Sequence, residues 1–113
     1  MARGDRVERP LRKTEFELRF ATKRAEQGWT DLLATQRNAI VGAWDFLTAT
    51  PLAETPQNYR LKGRLAYVVS NGVQCERWQL KPTAQGDARI WFYVIERTVY
   101  LEAVHTRHPN ATK

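Results

Sequence analysis

"ARIWFYVIERTVYLEAVH", residues 88–105, is the stretch from which the fold can be read. Two runs rich in β-branched and aromatic residues, 88–95 and 98–105, are separated only by Glu96-Arg97. So short a link turns the chain straight back, so the runs predict neighbouring antiparallel strands. Upstream, "VQCERWQLK" (73–81) has the same character and stops at Pro82, and the turn-rich "PTAQGD" joins it to the next run. A three-strand antiparallel meander follows. Before it, Asn71-Gly72 suits a tight turn that joins the preceding "YRLKGRLAYVVSNG" to 73–81 as two antiparallel strands.

The N-terminal half carries a different period. "TEFELRF" (14–20) alternates, with Phe16, Leu18 and Phe20 opposite Glu15, Glu17 and Arg19, as in a half-buried strand. We assign a short strand at 15–19 and a helix from there to about residue 34, interrupted in composition by Gly28. A second helix runs from an N-cap at Thr35 to a stop at Pro51. Its Ile40, Ala43, Trp44 and Leu47 form one apolar stripe, which reads as core. Residues 1–13 read as a basic flexible arm, and residues 14–113 as a single domain. Helices first and strands after give an α+β fold: a short N-terminal strand, two antiparallel helices, then a mainly antiparallel sheet.

Period-2 alternation sorts the strand faces. Ile90, Phe92 and Val94 are uniformly apolar and should pack on the helices. Arg89, Trp91 and Tyr93 share the other face, as do Arg77, Gln79 and Lys81 on the preceding run. The expectation is a cationic, aromatic face open to water or a ligand. The run 98–105 is ambiguous: Val99, Leu101, Ala103 and His105 fall on one side, Tyr100, Glu102 and Val104 on the other. In an extended chain Arg60, Lys62 and Arg64 also point one way.

Charge supports that face. Among 113 residues the net charge is +6. Residues 1–58 hold nine basic and eight acidic side chains, and residues 59–113 hold nine and four. The excess lies in the strand-rich half, which suits a polyanion, nucleic acid above all. Arginine and lysine neutralise phosphate, and an exposed ring stacks on an unpaired base. A solvated face with ordinary ion pairs is the plain alternative. Other chemistries lack their residues. One cysteine, Cys75, and two histidines, His105 and His108, make no zinc-spaced cluster, and no glycine-rich phosphate loop is present. No metal or other cofactor is expected. The lone cysteine, with neither a signal-peptide pattern nor an apolar span, points to a cytoplasmic protein without membrane association.

"YRLKG" (59–63), "RWQLKPTAQGDARIWFYV" (77–94) and "VHTRHPNATK" (104–113) resemble the RelE/ParE toxin superfamily, the toxin half of bacterial type II toxin–antitoxin modules. The likeness covers roughly residues 14–113. The RelE-like branch shows a leucine-lysine-glycine stretch, a basic strand, an "R-I-W/Y-Y" strand and a late "H-P", and this chain has all four. The resemblance implies a ribosome-dependent mRNA interferase. Such an endoribonuclease directs a 2′-hydroxyl onto the neighbouring phosphate and leaves a 2′,3′-cyclic phosphate. It also implies mRNA and ribosome as partners, and a cognate antitoxin in a hetero-oligomer. The alternative is a non-nuclease, ParE-like toxin, or a decayed homologue, that binds a protein such as DNA gyrase or nucleic acid.

By the same resemblance, Arg89 would hold the phosphate. Arg77 and Lys81 would hold it or scaffold it. Tyr93 would supply a ring or a hydroxyl. His105 or His108 would move protons, and Arg60, Lys62 and Arg64 would grip RNA with Trp91 stacking. Here arginines stand where RelE proteins have several lysines. Arginine does not readily give up its proton, so proton transfer falls to His105, His108 or Lys81.

Overall fold

The structure, a computed structural model, describes residue 7 and residues 9–107. Strand β1 (Glu17–Phe20) leads into helices α1 (Lys23–Thr35) and α2 (Arg37–Ala49). Then come β2 (Asn58–Arg60), a turn of 3-10 helix (Gly63–Leu65), β3 (Tyr67–Ser70), β4 (Val73–Glu76), β5 (Trp78–Leu80), β6 (Arg89–Ile95) and β7 (Thr98–His105). Five strands form one sheet in the order β1-β7-β6-β5-β2, and β3 and β4 form a separate hairpin. Every neighbour in the main sheet is antiparallel except β1, which runs parallel to β7. The expected α+β architecture is the one observed.

Local chemistry explains most boundaries. The Thr22 hydroxyl accepts from the Ala25 amide and caps α1. The N-cap position of the second helix is Gln36, not Thr35, and its side chain makes no capping hydrogen bond. Thr35 closes α1 instead, its hydroxyl donating back to the Asp31 carbonyl at 3.1 Å. Asn71 and Gly72 turn β3 into β4 with φ of 50° and 80°, the left-handed pair of a tight hairpin. The run 73–81 is broken at Arg77. Its amide donates to the Ala66 carbonyl and its carbonyl accepts from the Leu61 amide, both at 2.9 Å, so one residue hands the chain from hairpin to sheet.

One sheet face packs on the helices. Ile90 and Phe92 join Trp78, Leu80, Val99, Leu101 and Val104 against Ala25, Leu32, Ile40, Ala43 and Leu47. The approach of α1 to β7 is set by Gly28. A Cβ there would collide with the Val104 carbonyl oxygen and stand 2.9 Å from the Val104 Cβ. Gly28→Ala gains about 1 kcal/mol of helix propensity but overpacks against backbone, at a cost of about 1–3 kcal/mol. Net destabilisation is expected, read as a lower urea midpoint with an unchanged slope.

A β-bulge between Trp91 and Phe92 resolves the ambiguity of 98–105. Across it Trp91 faces Ala103 while Phe92 faces Leu101, so Glu102 is the extra residue. Val99, Leu101 and Val104 therefore enter the helix-side core. Tyr100 pairs with Tyr93 and His105 with Arg89, which places them on the opposite face with Ala103.

Part of the segment assigned as an arm is tied to the body. Arg9 Nη2 donates to Glu15 at 2.6 Å, the Arg12 amide donates to Glu15 at 2.7 Å, and the Arg9 guanidinium lies 4.9 Å from the Trp44 ring. The Arg9 hydrogen bond, then the Arg12 amide, pull the Glu15 pKa down from 4.5 to about 2. A lowered native pKa means that the contribution is complete above the unfolded value and is lost as pH falls from about 4.5 to about 2. The Arg12 amide proton shift, followed by NMR, should titrate with a midpoint near 2. A midpoint at the ordinary carboxylate value would show the tether absent.

Among the described residues no helix is long and apolar enough to cross a membrane.

Candidate nucleic-acid interface

The second sheet face is not the open platform expected from alternation. Arg89, Trp91 and Tyr93 are exposed by only 7, 7 and 5%. Leu61 and Leu65, from the segment leading into the hairpin, close over Trp91 and Ala103 as a smaller second core. Alternation correctly put these side chains on one face, but it carries no information about what covers that face. The rings themselves were the available signal, since large aromatics are highly buried on average.

Trp91 is consequently not an exposed stacking surface. Its Nε1 donates to Gln79 Oε1 at 2.9 Å, and Gln79 Nε2 donates to the Tyr59 hydroxyl at 3.0 Å. Lys81 Nζ sits 5.6 Å from the Tyr59 ring. The Trp91 ring also meets the Arg77 guanidinium at 5.4 Å and the His105 ring edge-on at 4.6 Å.

Arg77 is committed to the protein. Its Nε and Nη2 donate to the two Glu102 carboxylate oxygens at 2.7 and 2.8 Å, and Nη1 donates to the Leu65 carbonyl at 3.2 Å. The bulge at Glu102 aims that carboxylate at Arg77. Such a fork is the strong form of an ion pair. It leaves Arg77 little charge to offer a phosphate.

Arg89 is different. It pairs directly across β6 and β7 with His105. Its Nη1 donates to the Gly86 and Ala88 carbonyls at 2.8 Å, yet its buried Nε has no partner among the described residues. No carboxylate among the described residues lies within ion-pair distance of it. His105 is half-buried, and its Nε2 is likewise without a partner among the described residues. Burial, aided by the Arg24 charge and opposed by Glu102, lowers the His105 pKa below 6.5. Burial therefore favours its neutral imidazole. Lys81 and Arg89 each lie one residue beyond the last β5–β6 pair, Leu80 with Ile90. Lys81, Arg89 and His105 thus form a row across three strands at one end of the sheet. His108 lies outside the described residues.

The remaining predicted contacts disperse. Arg60 bonds Glu76 at 2.9 Å. Arg60 and Lys62 line a cleft of about 360 Å³ with Glu54, but Arg64 is carried away by the 3-10 turn. Tyr93 lies four residues along β6 from Arg89, or about 13 Å, and stacks on Tyr100 at 5.3 Å. Glu102 and Tyr100 were missed as members of this face, because the bulge that places them has no sequence signature in the run.

Two solved structures share the fold. They are the YoeB-YefM complex from Staphylococcus aureus and a heterotetrameric YoeB-YefM toxin–antitoxin complex from the same organism. Each matches with a TM-score of 0.56 and 10% identity, covering 80% of this chain and 94% of the other. At that identity the likeness is one of fold, and it agrees with the RelE-like architecture. No protein-family model and no curated protein matches the sequence.

Proposed function

We propose that this chain is the toxin of a type II toxin–antitoxin module and an endoribonuclease that cleaves mRNA on the ribosome. The observation that carries the reading is the pairing of Arg89, which has no carboxylate partner among the described residues, with His105, whose burial favours the neutral imidazole. Transfer of an RNA phosphate to its own 2′-hydroxyl needs a base for the hydroxyl proton and a fixed cation for the charge on phosphorus. A neutral His105 can accept the proton. Arg89, with Lys81 in the same row, can hold the phosphate once the Gly86 carbonyl releases Nη1. His108 remains a candidate for protonating the leaving 5′-oxygen. Arg77 and Trp91 act from behind, fixing the His105 ring. Arg60, Lys62 and Arg64 serve as outlying phosphate contacts. By analogy with the toxin–antitoxin complexes of like fold, a cognate antitoxin holds the protein in a hetero-oligomer in the cytoplasm.

Induced expression followed by primer extension on a translated message tests this. Discrete cuts within codons, absent from an untranslated copy of the message, are expected. Growth arrest with intact message would instead assign a protein target such as DNA gyrase.

A further inference from the structure

At the opposite end of the same sheet face lies a larger cleft, of about 710 Å³, within the size range of small-ligand sites. Tyr93 and Tyr100 line it, stacked with ring centroids 5.3 Å apart and planes 17° apart, Tyr93 buried and Tyr100 half-buried. Ser70 and Asn71, from the hairpin turn, form one wall, and the Tyr93 hydroxyl donates to Ser70 Oγ at 3.2 Å, fixing the stacked pair to that wall. Arg19 and Glu26 stand on the rim formed by β1 and the first turn of α1. Arg19 is held by Glu17 at 3.0 Å. Among the described residues no cation lies within ion-pair distance of Glu26, so its carboxylate is free to accept hydrogen bonds.

A lining aromatic ring, a carboxylate without a cation partner among the described residues and a nearby arginine match one class of ligand. An unpaired base stacks on aromatic side chains and is read along its Watson–Crick edge. A carboxylate accepts two hydrogen bonds from adjacent donors. Guanine alone among the RNA bases offers that pair, N1–H beside N2–H; adenine, cytosine and uracil each offer one donor group. Arg19 can meet the attached phosphate. We propose that this cleft is a guanine subsite. Glu26 reads the base edge, Tyr100 supports the ring and Arg19 holds the phosphate. The site rests on the ribonuclease reading only in taking its guanine from RNA.

The test uses the full chain and measures binding rather than cleavage. Guanosine 5′-monophosphate and adenosine 5′-monophosphate are titrated separately and followed by amide NMR shifts. Expected are shifts centred on Ala21, Ser70, Asn71 and Tyr100 with the guanine nucleotide, and affinity for the adenine nucleotide at least about tenfold weaker, the discrimination of one bidentate base contact. Glu26→Gln, an exposed change, should remove that preference, and Tyr100→Leu should weaken both nucleotides. Equal affinity for the two, a preference unchanged in Glu26→Gln, or shifts centred on Arg89 and His105 would each overturn the subsite. Loss of the ribonuclease reading would leave the guanine preference measurable. Loss of the preference would leave cleavage intact.

Discussion

His105→Ala is expected to slow RNA cleavage by about 10²–10⁴-fold, the contribution of a positioned proton acceptor. The ring sits between Arg89, its cross-strand partner, and the edge of Trp91, so its removal leaves the phosphate cation in place. An edge-on aromatic contact is worth about 0.5–1.5 kcal/mol beyond buried area, so the variant should still fold, checked by its urea midpoint. The pH profile separates chemistry from structure. Burial holds the imidazole pKa below 6.5, so the acid limb of the wild-type rate should lie below that value, with a flat rate at neutrality. Stability carries the same signature. The unfolded chain binds the proton more readily, so stability is level above about 6.5 and falls as pH drops toward the lower native value. His105→Ala should flatten both dependences. An unchanged cleavage rate would transfer the role to Lys81 or His108.

The second large effect is thermodynamic. Arg77→Ala should destabilise the fold by about 3–5 kcal/mol, because it strands the Glu102 carboxylate without its partner. The two side chains are exposed by 13 and 12%, so solvent screens the pair weakly. Replacing both at once, Arg77→Met with Glu102→Leu, should recover most of that loss, since a buried pair and an apolar pair of similar volume are often near parity. A denaturant double-mutant cycle measures the coupling. Additive losses would mean that the fork contributes nothing as a pair. The cycle also bears on catalysis: the double variant should shift the His105 pKa, because the Glu102 charge acts on the imidazole.

How much of this was legible depends on which interactions are local. The two-residue Glu96-Arg97 link does join neighbouring antiparallel strands, and Asn71-Gly72 does turn a hairpin. Ile40, Ala43 and Leu47 form the buried stripe of α2. Each of these rests on residues adjacent in the chain. Three features escaped for the opposite reason. The bulge at Glu102 inverts the in/out parity of β7 part-way along, and nothing in "YLEAV" marks it. The cover over Trp91 comes from Leu61 and Leu65, and cover is a tertiary property. The Arg77–Glu102 fork joins the residue between β4 and β5 to one on β7, far apart in the chain, so Arg77 read as a free cation. In the site itself, residue types could be read from the sequence, but the pairing of Arg89 with His105 could not: the hairpin register alone sets Arg89 opposite Val104, and the bulge shifts it by one residue. Which cations stay available to a phosphate could not be read.

The parallel union of β1 with β7 has a consequence for synthesis. The strand made last among those described sits between β1 and β6, so it must insert into the sheet rather than extend its margin. Until residues 98–105 leave the ribosome, β1 lacks its strand partner, α1 lacks the strand it packs on most and His105 is not in place. A nascent chain interrupted before that point has Lys81 and Arg89 but not the pairing with His105, which is completed in one late step.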